Sequence, residues 1–138
     1  MVLVDSNVLI DLFTDDPNWA EWSHEALLKA AQQDSLAINP VIYSEISIAF
    51  TDLGKLDTAL EPLELIRLEL PYQAAFFAGK AFLKYRRQGG EKRSPLPDFF
   101  IGAHVQCEKM KLLTRDKNRF QNYFPGIKLI SPIAEEPK

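Results

Sequence analysis

The sequence predicts an α/β protein, a three-layer α/β/α sandwich with a central parallel sheet. Short apolar runs recur at Val2-Leu3-Val4, Leu36-Ala37-Ile38 and Leu112-Leu113-Thr114. The stretches between them carry apolar residues at helical spacing. Strands alternating with helices mean βαβ units, hence a parallel sheet with helices on both faces. At 138 residues, 46% apolar and 25% charged, the chain suits one domain with its own core. That domain is expected over 1–131, with 132–138 as a C-terminal tail.

The elements follow in order. Val2-Leu3-Val4 reads as a short buried strand, and Val8, Leu9, Leu12 and Phe13 give a helix over 6–13. Asp15-Asp16-Pro17 breaks it. Asn18 is the expected cap of a helix reaching about Gln33, with Trp19, Trp22, Ala26, Leu27 and Ala30 on one face. After the strand at 36–38, Pro40 opens a helix carrying Glu45, Ile46, Ala49 and Phe50, and Gly54 suits its stop. A short helix at 56–63 feeds a strand near Ile66-Arg67-Leu68. Pro71 starts a long helix expected to turn Ala75, Phe76, Gly79, Phe82 and Leu83 inward. Ser94-Pro95-Leu96-Pro97 is expected to be non-helical and to deliver Asp98 to a helix carrying Phe99, Ile101, Ala103 and Val105. A strand at 112–114, a helix at 117–123 and an edge strand at Leu129-Ile130 complete the chain.

Composition narrows the function classes. Cys107 stands alone, so no intrachain disulfide forms, and a reduced, cytoplasmic setting is expected. No signal peptide is expected, and no apolar run approaches the roughly 18 residues of a membrane span. The net charge of −3 weighs against a nucleic-acid partner unless an acidic cluster holds cations and inverts the local field.

Asp5, Glu45, Asp98 and Asp116 are the candidate site. Each lies where a strand ends or a helix begins. Taken singly, Asp5, Asp98 and Asp116 could each cap a helix, and Glu45 could be an exposed helix residue. Together they point elsewhere. The carboxyl ends of parallel strands converge on one crevice. Carboxylates gathered there repel one another unless a cation neutralises them, and hard, oxygen-seeking Mg²⁺ or Mn²⁺ suits them.

The runs Val4-Asp5-Ser6-Asn7-Val8-Leu9, Ser44-Glu45, Leu96-Pro97-Asp98-Phe99-Phe100-Ile101-Gly102-Ala103 and Leu113-Thr114-Arg115-Asp116 resemble the PIN-domain ribonucleases. Within them the chain is most similar to the VapC toxins of toxin–antitoxin pairs, over about residues 1 to 130. The resemblance implies a PIN-like fold and an endoribonuclease that uses Mg²⁺ or Mn²⁺ to hydrolyse tRNA, ribosomal RNA or mRNA. It makes Asp5, Glu45 and Asp98 the core metal ligands and Asp116 the fourth acidic position. Asn7 and Thr114 match polar positions that support them. Some relatives carry a further acidic residue shortly after the fourth, where this chain has Asn118 and Arg119. The resemblance also implies a homodimer and a cognate VapB-like antitoxin. Its alternatives are a non-catalytic PIN-like module that binds RNA or protein, and an RNA-processing nuclease outside any toxin–antitoxin pair.

On this reading metal-bound water attacks the phosphodiester, Glu45 orients it, and the products end in 5′-phosphate and 3′-hydroxyl. His24 and His104 are expected to be structural. Lys84, Arg86, Arg87, Lys92 and Arg93, leading into Asp98, and Arg115, Lys117 and Arg119, around Asp116, are the candidate RNA contacts; helix ends favour such cations anyway. Trp19, Trp22 and the Phe76-Phe77 pair are expected to be mostly core. Other crevice chemistries fit poorly. A phosphatase of the haloacid-dehalogenase kind needs an acid where Asn7 stands, a receiver domain needs an acidic pair near the first strand, and a nucleotide binder needs glycines that Ser6-Asn7-Val8 lacks.

Overall fold

Val2–Val4 (β1), Leu36–Ile38 (β2), Ile66–Arg67 (β3), Lys111–Leu113 (β4) and Lys128–Ile130 (β5) form one sheet in the order β3-β2-β1-β4-β5. Every pairing is parallel, with Leu3 opposite Ala37 on one side and Leu112 on the other. The computed structural model describes residues 1–89 and 96–132. Successive strand side chains point to opposite faces, yet every residue of β1 and β2 is buried, so helices cover both faces. The helices are Ser6–Phe13 (α1), Ala20–Gln33 (α2), Pro40–Ile46 (α3), Leu53–Leu60 (α4), Tyr72–Arg87 (α5), Leu96–Glu108 (α6) and Lys117–Gln121 (α7). This is the expected three-layer α/β/α sandwich. None of the described helices is long and apolar enough to cross a membrane.

Several boundaries differ from expectation, each for a local reason. Asn18 does not cap α2. The Asp16 carboxylate instead accepts the backbone N–H groups of Asn18 and Trp19 at 2.8 and 2.9 Å, and the helix begins at Ala20. The third helix ends at Ile46 and tightens into a 3₁₀ turn at Ser47–Ala49. Gly54 is therefore no stop; it lies in the first turn of α4, which Asp52 caps by accepting the Lys55 N–H. Leu96 and Pro97 belong to the first turn of α6, where proline's missing donor costs least. Ser94 and Pro95 lie outside the described residues, as do Lys92 and Arg93 and all of the expected tail beyond Pro132.

Phe82 packs inward on α5 as expected, but the buried centre of that face lies one residue from the expected one. Ala74 and Ala78 are buried, whereas Phe76 and Leu83 are 59% and 42% exposed and Phe77 is 41% exposed. Residues four apart share one helix face. Here that face is small because α6 comes close: Ala74 and Ala78 pack with Phe99, Ala103 and Phe124. The larger cluster sits between sheet and helices around Leu3, Ile38, Leu112 and Phe120.

Gly102 on α6 also reflects close approach. A Cβ there would lie 2.4 Å from the Phe124 ring. Gly102→Ala must displace a buried aromatic, so a loss of about 1–3 kcal/mol is expected for such overpacking. The midpoint of denaturant unfolding measures it.

Candidate active site

The strand order reverses at β1, whose chain neighbours lie to one side and β4 to the other. The crevice at the carboxyl ends of β1 and β4 is thus the place where a parallel sheet takes ligands. Asp5 leaves β1 into this crevice. Its backbone still follows the sheet, donating to Leu113 O at 2.9 Å, and its side chain caps α1 by accepting the Ser6 N–H at 2.7 Å. The other carboxylate oxygen accepts the Thr114 hydroxyl at 2.8 Å. Capping and a role in the site are therefore compatible here.

Thr114 joins three of the expected residues. Besides donating to Asp5, its Oγ1 accepts the Asp116 N–H at 3.0 Å and the Asn7 amide at 3.4 Å. Asn7 Oδ1 in turn accepts the Arg115 N–H at 3.4 Å. The loop after β4 is thereby tied to the first turn of α1. Glu45 arrives from α3, and its Oε1 accepts the Ser6 hydroxyl at 2.8 Å. Ser6 is a site residue the sequence did not single out. A serine after a capping aspartate has a sufficient local explanation, and its contact with Glu45 exists only once α1 packs on α3.

Asp98 lies in the first turn of α6 and is 7% exposed. The aromatic cluster that follows it fixes this position: Phe99 lies 5.4 Å from the Tyr123 ring and 5.6 Å from that of Tyr85. Burial pushes the Asp98 carboxyl up to about 7; Arg119 opposes the shift, while Asp5 and Glu45 add to it. Burial likewise raises Asp5 to about 6 against its hydrogen bonds, with Glu45 adding repulsion. Asp5, Glu45 and Asp98 thus share one field. Asp116 joins them through Arg119, whose guanidinium reaches Asp98 Oδ2 at 3.0 Å and Asp116 Oδ2 at 2.9 Å. Asp116 stands at the N-cap position of α7 without a side-chain capping bond.

Hard oxygen donors fit a divalent cation of the Mg²⁺ class. Asp98 Oδ2 is buried and, among the described residues, is met by the Arg119 guanidinium at 3.0 Å, leaving it room to serve as a ligand once that contact is given up. Among the described residues no group of three or more acidic, histidine or cysteine side chains is gathered tightly enough to hold an ion. The donor chemistry fits, and the carboxylates stand apart as repulsion and an intervening guanidinium would leave them.

Arg115 is engaged elsewhere. Its guanidinium makes a two-pronged pair with buried Asp11 at 2.7 and 3.0 Å and lies over the Trp19 ring at 5.1 Å, while the Ser23 hydroxyl donates to the same carboxylate. It fixes the loop that carries Asp116. Arg86 and Arg87 are exposed in the last turn of α5. His104 is buried, accepts from the Asn39 amide at 3.0 Å and is held below the usual histidine range by burial, whereas His24 is exposed.

A profile of the PIN domain matches residues 2–123. No curated protein matches the chain. Among solved structures, VapBC2 from Rickettsia felis, bound to a DNA fragment from its promoter, aligns with a TM-score of 0.74 at 16% identity, covering 96% of this chain and 100% of that one. VapBC-1 from nontypeable Haemophilus influenzae gives 0.72 at 19% identity over 95% and 98%. A toxin–antitoxin complex from Klebsiella pneumoniae gives 0.68 at 22% identity over 96% and 98%. At these identities the likeness is one of fold.

Proposed function

This chain belongs to the PIN domain family, and on that premise we propose that it is a metal-dependent endoribonuclease, the VapC-type toxin of a toxin–antitoxin pair. The observation that carries the proposal is the buried Asp98 carboxylate, pushed up by burial and by Asp5 and Glu45 in the same crevice. Keeping such carboxylates together costs stability, which a ligand-free scaffold has no reason to bear.

Asp5, Glu45, Asp98 and Asp116 would hold Mg²⁺ or Mn²⁺. When bound, the ion supplies neutralising charge and a water of lowered pKa. The chain's own groups do the rest. Thr114 and the Ser6 N–H fix the Asp5 carboxylate, and Ser6 Oγ steadies Glu45 to orient the attacking water. Exposed Arg86 and Arg87 draw the RNA backbone towards the crevice. Of the solved structures named above, that from Klebsiella pneumoniae is a toxin–antitoxin complex, and the other two are VapBC structures. For this chain the corresponding partner is a VapB-like antitoxin whose basic side chain neutralises the same carboxylates, and the toxin itself pairs as a homodimer.

The test is cleavage of a mixed tRNA and ribosomal RNA pool by the purified, antitoxin-free protein. Cutting with Mg²⁺ or Mn²⁺, its loss in EDTA, and 5′-phosphate ends are expected. A 2′,3′-cyclic phosphate product, or cutting that persists in EDTA, would overturn the mechanism.

A further inference from the structure

Among the described residues, the Arg119 guanidinium bridges two of the crevice's carboxylates and acts on a third, Asp5. Arg119 Nη1 is 3.0 Å from Asp98 Oδ2 and Nη2 is 2.9 Å from Asp116 Oδ2, so a single side chain spans two groups expected to meet on a metal ion. Its two targets differ. The Asp98 side chain is 9% exposed, whereas the Asp116 side chain is 39% exposed. Among the described residues, Arg119 is thus the cation paired with a carboxylate that is nearly cut off from water. A guanidinium is permanently charged and planar, well suited to bridging carboxylates.

Its backbone cannot leave. The next residue, Phe120, is fully buried and anchors α7. The side chain can leave, because it is 48% exposed and borders a cavity of about 150 Å³ that Tyr85 and Tyr123 also line. A guanidinium turned into that cavity meets aromatic surface, on which it stacks well.

We infer that Arg119 is a built-in counter-cation of the carboxylate cluster, and that a divalent ion enters by exchange with its guanidinium. This rests on the metal-dependent reading above. In the metal-free protein Arg119 keeps Asp98 and Asp116 from repelling each other. When an ion binds, Arg119 must give up one or both contacts, so the affinity for metal is lowered by the ion pairs it displaces. Arg119 is a positioning residue on this account, acting through the carboxylates.

Mn²⁺ binding to the full chain, measured by calorimetry, tests the inference without any activity readout. Arg119→Gln removes a charge that repels the ion and should bind Mn²⁺ at least about tenfold more tightly. Its metal-free melting temperature should fall, and Mn²⁺ should raise it by more than in the unaltered protein. Arg119→Lys, a point charge that cannot bridge both carboxylates, should fall between the two. The unaltered protein gives a second measurement: the Arg119 side-chain N–H resonance should move along the same binding curve as Mg²⁺ is added. Equal or weaker Mn²⁺ affinity in Arg119→Gln, or an Arg119 resonance unmoved at saturating Mg²⁺, overturns the exchange and leaves the nuclease reading standing. Absence of binding in every variant and in the unaltered protein overturns the metal reading as well.

Discussion

Asp98→Asn should cut RNA about 10²–10³-fold more slowly while making the metal-free protein harder to unfold. The two effects share one cause. The carboxylate is buried, and Asp5 and Glu45 repel it. Arg119 offsets this only in part, because burial together with repulsion still leaves the proton bound up to about pH 7. An amide of the same shape carries no charge to desolvate. Above about pH 8 the variant should gain on the order of 1–3 kcal/mol, read as a higher denaturant midpoint in EDTA. Adding Mn²⁺ should reverse the order, since only the unaltered protein keeps its full ligand set. A structural Asp98 would behave in the opposite way: its removal would lower stability in EDTA.

The fold was legible because its signal is periodic. Buried strands written as Val2-Leu3-Val4 and Leu36-Ala37-Ile38, with helical spacing between them, admit few arrangements other than a covered parallel sheet. Asp5 was legible for the same reason, since a polar residue directly after a buried strand sits at the crevice. Element boundaries and faces were harder to see. The exposure of Phe76 depends on α6 approaching α5 closely enough to require Ala74 and Ala78, a tertiary fact absent from the helix's own pattern. The same holds for charges. The spacing of Asp116 and Arg119 permits a helical pair, but that the guanidinium also reaches Asp98 depends on the docking of α6 beside α7. Arg115 reads as a free cation beside Asp116 in the sequence, and only the docking of the loop after β4 on α1 brings buried Asp11 to it.

Raising the pH from about 4 to about 7 should weaken the metal-free fold and strengthen its hold on divalent metal. Asp5 and Asp98 are lifted from 3.8 to about 6 and about 7, chiefly by burial. In that window the unfolded chain has released these protons and the folded protein still holds them. The unfolded state binds fewer protons, so stability falls as pH rises. Below the unfolded value both states are protonated and the penalty is absent; above about 7 both are ionised and it is constant. Asp34 and Asp57, whose partners hold them below the usual range, titrate with the opposite sign below about pH 4 and so bend only the acid end of the curve. The decisive quantity is therefore a difference: the stability of the unaltered protein minus that of an Asp5→Asn, Asp98→Asn variant, both in EDTA. It should decline across the window and level off above about pH 7. Mn²⁺ affinity and the cleavage rate should climb over the same range, because the ion binds only the ionised carboxylates. A flat difference would mean that both groups ionise normally in the folded protein, and the crevice would then store none of the repulsion that makes it a cation site.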